Sequence, residues 1–398
     1  MLWILIGLYG LLAIYRVVLS ILQIKFIINA KEPVVLSANE FESAAKIAIT
    51  KQKFEIAQNI YSFFIVALWS IWGVSAMQNS LGGVESALIK DSLLVTLFLA
   101  IMVVLNLPFE IYNTFVIDKK FGFSNSTAKL FIMDLIKSLI MILIFGFGVS
   151  CVLLLCYELL GASWWIWAFG ISFGLILIVN LIYPTLIAPI FNKITPLENS
   201  ELNLAINELL SSCGFKSSGV YSMDASKRDN RLNAYFGGLG ATKRVVLFDT
   251  LINKLNKDEI IAVLGHELGH FKHKDIIKNI ILMSVVLFIL FAIFGNIPDS
   301  FYTALGLESS GGGLFLFFLL YSPLFMVIVE PVISTFSRLH EFGADEFGAS
   351  KTSKDSMILA LKKLAKENKS FPLSHPFYSL VYHSHPTLYE RLKRLESL

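Results

Sequence analysis

A mainly α-helical membrane fold, with seven spanning helices and one sizeable soluble insert, is predicted by three observations. The chain has 398 residues, is 55% hydrophobic with a mean hydropathy of +0.68, and only 16% of it is charged. Soluble domains do not carry that balance; polytopic membrane proteins do. Seven apolar stretches are long enough to cross a hydrocarbon core of roughly 30 Å. All seven histidines stand at position 266 or later, so any chemistry that needs imidazole is confined to the C-terminal third.

In chain order the expected spans are 2–24, 58–78, 92–114, 131–156, 163–188, 276–296 and 313–335. The first lacks a basic n-region and an A-x-A cleavage site and carries Arg16 internally, so it reads as a span and not as a signal peptide. The connections alternate in Lys and Arg. Lys25, Lys31, Lys46, Lys51 and Lys53 follow span one, and only Lys90, at the membrane edge, follows span two. Lys119, Lys120 and Lys129 follow span three, and none lies in 157–163 or 297–312. The long fifth connection and the tail are basic. By the positive-inside rule the N-terminus is outside and the C-terminus cytosolic. The net charge of +3 and the lack of a basic stripe with interleaved aromatics argue against a nucleic-acid partner. Cys151, Cys156 and Cys213 form no disulfide framework and no C-x-x-C knuckle.

The fifth connection, 191–275, is the only large soluble insert. It opens with F-N-K-I-T-P-L, continues as an amphipathic helix around 202–213, and then offers two strand-like segments, 219–223 and 244–248. The expected division is 1–190 for helices one to five and 191–275 for the insert. Residues 276–336 hold helices six and seven, and 337–398 return to complete the soluble domain.

His266-Glu267-Leu268-Gly269-His270 follows in a helical stretch of that insert. The i, i+4 spacing puts both imidazoles on one face, one turn apart, where they can share a zinc ion. Glu267 stands where a carboxylate can take a proton from a metal-activated water. Leu264, Leu268 and Phe271 give the helix an apolar side to bury. A catalytic zinc site needs a third protein ligand and an open position. The metzincin extension would put Gly at 273 and His at 276, but His273 and Ile276 stand there, which excludes that subclass. The other common arrangement draws a glutamate from a helix well downstream, and Ser337–Asp345 offers Glu341 with Asp345 one turn on. Asp345 would then accept from the far nitrogen of a liganding histidine. On spacing alone an exposed acidic helix start is an equal alternative. His273 is expected to point elsewhere, His340 to lie on the surface or behind the ligands, and His375 to do nothing; His383, two residues from His385, is a minor candidate for the cleft wall. Glu110, Asp134 and Glu330 lie in or beside spans and are expected to face protein or water.

The ordered motifs make the sequence resemble a known family. H-E-L-G-H at 266–270, S-R-L-H-E-F-G-A-D at 337–345 and H-S-H-P-T-L-Y-E-R-L at 383–392 look like those of the type I CAAX prenyl proteases. So do Y-N-T-F-V-I-D-K-K-F-G-F-S at 112–124, Y-P-T-L-I-A-P-I-F-N-K at 183–193 and N-A-Y-F-G-G at 233–238. The resemblance implies an integral-membrane metallopeptidase: seven tilted helices around a water-filled chamber, capped by a gluzincin-type domain with a small β-sheet. It implies one Zn2+ per chain on His266, His270 and Glu341, with Glu267 as general base and Asp345 behind the ligands. It gives His385 the role of stabilising the tetrahedral oxyanion, and Arg391 that of a supporting cation. Asn233, Ala234 and Tyr235 would form an edge strand on which an extended peptide pairs. The expected partners are a peptide or protein substrate, cut near its C-terminus, and the bilayer. The ending R-L-E-S-L lacks a basic retrieval signal, which favours a bacterial inner membrane over the endoplasmic reticulum. A seven-helix receptor or transporter is the rival reading, and it leaves the ordered His and Glu motifs without a purpose.

Overall fold

The computed structural model of the chain describes residues 1–198, 200–238 and 243–398. Seven of its helices are long and apolar enough to cross a membrane: Leu2–Asn29, Ala38–Ser80, Ala87–Asp118, Ala128–Leu159, Gly161–Phe191, Asp275–Gly295 and Gly311–Lys351. They contain six of the seven expected stretches and all but the last residue of the sixth, 276–296, but two run far past them. The second has 43 residues and the seventh 41. At about 1.5 Å per residue each is roughly 60 Å long, twice the hydrocarbon thickness.

These overruns correct two expectations. Residues 38–57, read as connection, are helical. A Ser37–Glu40 capping box starts the helix there, and lysine, alanine and glutamate are good helix formers that continue it without an apolar face all round. The boundary drawn at 336/337 falls inside the unbroken seventh helix. No glycine or proline stands between Pro331 and Gly343 to end it. Ionisable groups within the helices are paired across the bundle, Arg16 with Glu330 at 3.3 Å, while Glu110 is exposed.

The soluble insert contributes a four-stranded mixed sheet: β1 Ile194–Pro196, β2 Val220–Met223, β3 Ala234–Gly237 and β4 Arg244–Phe248. The spatial order is β1-β2-β4-β3, with β2 and β4 parallel and the outer pairs antiparallel. β3 therefore forms one rim of the sheet. Ser200–Ser212 is the expected amphipathic helix. Its Ile206 shares a hydrophobic core with Val245, Leu247, Leu264, Leu268, Met357, Leu361 and Leu395. That core joins the insert to the tail and is separate from the core inside the membrane bundle.

A polar clasp joins the two halves. Arg228 makes two hydrogen bonds to Asp134, at 2.7 and 2.8 Å. Arg231 donates to Asp118 at 2.8 Å and lies 4.2 Å over the buried Phe123 ring. The F-G-F-S segment after the third span thus anchors the chain just before β3.

Candidate metal centre

The helix Lys257–Lys272 carries the H-E-L-G-H pentad. Asn256 and Glu259 cap it reciprocally: the Asn256 side chain accepts from the Glu259 amide, and Glu259 accepts from the Asn256 amide. Leu264 and Leu268 are fully buried against the insert core. The adjoining face carries Gly265 and Gly269, four apart, and meets Ala344 and Gly348, four apart, on the seventh helix. A Cβ at Gly269 would stand 2.7 Å from the Ala344 Cα, and one at Gly348 would stand 2.8 Å from the His266 amide nitrogen. The two backbones are in contact. Only small residues allow that, and the approach lets ligands from the two helices meet.

His266, His270 and Glu341 each present one ligand atom, all within 4.8 Å of one another. His270 Nε2 lies 3.3 Å from Glu341 Oε1 and His266 Nε2 3.6 Å from Glu341 Oε2. Both imidazoles have their far nitrogen engaged. His266 Nδ1 meets Asp345 Oδ1 at 2.8 Å, and His270 Nδ1 meets Asp275 Oδ2 at 3.1 Å. A carboxylate at Nδ1 fixes the ring and leaves the Nε2 lone pair for a cation. Glu341 is buried, and its Oε2 has no hydrogen-bond partner. A buried anionic oxygen without a donor is costly, and a cation beside the two Nε2 atoms would remove that cost. The residues fit a metal. Two imidazoles and one carboxylate are a donor set suited to zinc with a fourth position open. Burial alone would push the His270 pKa down, yet Glu341, Asp275 and Glu267 outweigh it and raise it to about 9. The pocket is built for positive charge.

Arg391 backs the centre from the C-terminal helix Leu388–Glu396. It grips Asp345 with two hydrogen bonds, at 2.8 and 2.6 Å, and its third nitrogen lies 3.5 Å from Glu341 Oε2. His385 Nε2 is 3.3 Å from Glu341 Oε1, and its Nδ1 is 2.9 Å from the Ser384 hydroxyl. The His385 side chain is 60% exposed to the cleft. Enclosure of the ring by the cleft walls lowers its pKa; Glu341 opposes this and Arg391 reinforces it. A neutral imidazole accepting from Ser384 at Nδ1 carries its proton at Nε2, facing the cleft.

A cavity of about 380 Å³ opens beside Glu267 and His385, with Asn233 and Ala234 on one wall and Val263, Met357 and Leu361 among its apolar lining. The register pairs Ala234 with Leu247, and the Phe248 amide donates to the Asn233 carbonyl. In an antiparallel ladder the residues that bond inward alternate, so Asn233 and Tyr235 bond to β4 while the Ala234 backbone faces the free rim. There the Ala234 amide donates to the Asn233 side chain at 2.8 Å. Asn368 holds the preceding residue, accepting from the Leu232 amide and donating to its carbonyl.

The structure therefore brings His266, Glu267, His270, Glu341, Asp345, His385, Arg391, Asn233 and Ala234 to one cleft, whereas the Tyr235 ring turns away to pack on Tyr183 and Phe248. Glu341 and Asp345 lie mid-helix and buried, which overturns the alternative of an exposed helix start. His273 is exposed, His340 sits beside Asp275 at 3.6 Å, and His375 caps a short helix. Asp134, expected to face protein or water, faces protein and is committed to Arg228. Asp275 and Asn368 were missed by sequence reasoning. An acidic residue five positions after His270 was a signal for the first; a lone asparagine 136 positions from its partner offered none.

Comparison with known proteins agrees with this arrangement. Residues 196–398 match the model of peptidase family M48, and 29–193 match the model described as CAAX prenyl protease N-terminal, five membrane helices. The CAAX prenyl protease 1 homolog of Dictyostelium discoideum is 34% identical over 86% of this chain and 81% of its own length. CAAX prenyl protease 1 of Saccharomyces cerevisiae is 33% identical over 90% and 85%. The crystal structure of S. mikatae Ste24p superposes with a TM-score of 0.92 at 29% identity, covering 99% of each chain. That overlap carries the expected architecture, a chamber-forming helical membrane part under a small mixed-sheet protease domain. The named relatives are eukaryotic and lend no support to a bacterial source.

Proposed function

The chain belongs to peptidase family M48, a membrane metallopeptidase by that membership, and from that premise we propose that it is a zinc endopeptidase cutting CAAX-type, prenylated peptides near their C-termini. One observation carries the zinc assignment: the ligand atoms of two imidazoles and a buried carboxylate converge within 4.8 Å, and one oxygen of that carboxylate accepts no hydrogen bond. His266, His270 and Glu341 are the proposed ligands of a single zinc. When bound, zinc supplies Lewis acidity, polarising the scissile carbonyl and easing deprotonation of the attacking water.

The chain's own residues do the rest. An extended substrate adds to the rim of β3, pairing with the Ala234 backbone once the Asn233 side chain gives way. Glu267 takes the proton from the attacking water and later delivers it to the leaving amine. His385 donates from Nε2 to the oxygen of the tetrahedral intermediate. Asp345 and Asp275 hold the two histidine rings, and Arg391 holds Asp345. The apolar wall of the cavity beside Glu267, formed by Val263, Met357 and Leu361, suits an aliphatic side chain next to the cut bond. Residues 191–275 and 337–398 form the protease part and work on the cytosolic face, the side assigned by the Lys and Arg alternation. In a eukaryotic cell we place the protein in the endoplasmic reticulum membrane.

The test is a peptidase assay on purified full-length protein with prenylated and unprenylated forms of one CAAX peptide, alongside elemental analysis. We expect one zinc per chain, its loss in Glu341→Ala, and faster cleavage of the prenylated peptide. Equal cleavage of the two peptides would remove the substrate assignment. A full zinc complement in Glu341→Ala would remove the ligand assignment.

A further inference from the structure

We propose that Arg338 is a positioning residue that sets His385 over the metal centre; the inference rests on the role of His385 proposed above. His385 lies in the short irregular segment 383–387, between the helices Pro376–Tyr382 and Leu388–Glu396. Such a segment takes its position from its two ends. The far end is held where Arg391 grips Asp345. Arg338 holds the near end: its Nη1 donates to the carbonyls of Ser379 and His383, the latter at 2.8 Å, and its Nη2 donates to the Thr335 hydroxyl at 2.9 Å. One turn earlier, the Ser334 hydroxyl donates to the Val381 carbonyl at 2.8 Å.

The chemistry suits this job. At a helix end the carbonyls run short of partners (Ser379 O accepts only the His383 amide there), and a cation is favourable. A planar guanidinium can bridge two carbonyls at a set spacing, whereas an ammonium is a point charge on a flexible stem. Ser334, Arg338, Glu341 and Asp345 are spaced four, three and four apart, so they form one stripe on one rigid helix. The ligand Glu341 and the clamp on the His385 segment are therefore one turn apart on the same element. That ruler sets the 3.3 Å between His385 Nε2 and Glu341 Oε1. None of the hydrogen bonds described for Arg338 reaches a metal ligand, so it acts through His385.

The experiment is a double-mutant cycle on the full-length protein, with kcat, KM and zinc content measured for each variant on one peptide. Arg338→Ala is expected to lower kcat roughly ten- to a hundredfold, the cost of a misplaced catalytic group, with KM and zinc little changed. Arg338→Lys should fall in between. In a His385→Ala background the same arginine change should cost less than about threefold, because the group it places is gone. Multiplicative losses in the double variant, or zinc loss in both Arg338→Ala and Arg338→Lys, would show that Arg338 merely fastens the fold. An unchanged kcat in Arg338→Ala overturns the inference while the role of His385 stands. An unchanged kcat in His385→Ala removes that role, and the inference with it.

Discussion

The two helices that meet at the metal centre are built differently. Lys257–Lys272 has 16 residues, begins at a capping box, buries one side in the insert core and carries two of the proposed ligands and the proposed base within five positions. Gly311–Lys351 has 41 residues, starts inside the membrane bundle and delivers one ligand about thirty residues later. The first helix states its chemistry locally, and an H-E-x-x-H pattern is legible wherever it occurs. The second has no local signature for metal binding. Its Glu341 becomes a candidate ligand because Ala344 and Gly348 let the helix lie backbone to backbone against Gly269 and Gly265. A short motif can define half of a site, while the other half depends on how closely two surfaces pack.

Substitutions can break this comparison, beginning with the largest effect. On the local helix, Glu267→Gln keeps size but removes the base. Turnover should fall by about a thousandfold or more, at the upper range for general acid–base catalysis, while zinc stays. Zinc loss in that variant would make Glu267 a ligand and undo the assignment. On the tertiary side, His385→Ala should lower kcat roughly a hundred- to a thousandfold with KM and zinc unchanged. His383→Ala is the control, and steady-state kinetics should show it far less impaired; equal losses would remove the special role of His385.

Asp275→Asn sharpens the comparison, because it weakens a local ligand through a neighbour outside the pentad. Zinc affinity should drop about ten- to a hundredfold, the usual cost of losing a partner behind a ligand. Competition with a chelator measures it, and unchanged affinity would mean that His270 needs no such support. Gly269→Ala tests the packed face alone. Its Cβ would meet the Ala344 backbone, which cannot rotate away, so overpacking of about 1–3 kcal/mol is expected. A lower Tm and weaker zinc retention should appear together. A normal Tm with full zinc would show that the two helices can part without harm to the site.

Seven spans were legible because hydrocarbon thickness sets a minimum apolar length that few other structures need. Their ends were not. Apolarity marks only the part within the bilayer, and the second and seventh helices continue on ordinary helix propensity. The strands at 219–223 and 244–248 were visible as β-branched runs. β3 was found only by resemblance, and its place at the rim depends on β4 pairing parallel with β2. Asp134 shows the limit of reading a charge in a span: its partner, Arg228, lies 94 positions away.

By itself, the sequence determined that this chain enters a membrane several times and carries an H-E-x-x-H helix with two histidines on one face. Both follow from local rules, apolar length in one case and a four-residue helical step in the other. Tertiary structure alone decided that Glu341 meets the two histidines, that Asn368 holds Leu232 ahead of β3 and that Arg338 holds the segment before His385. Each is a contact between distant positions, and no local pattern encodes the packing that brings them together.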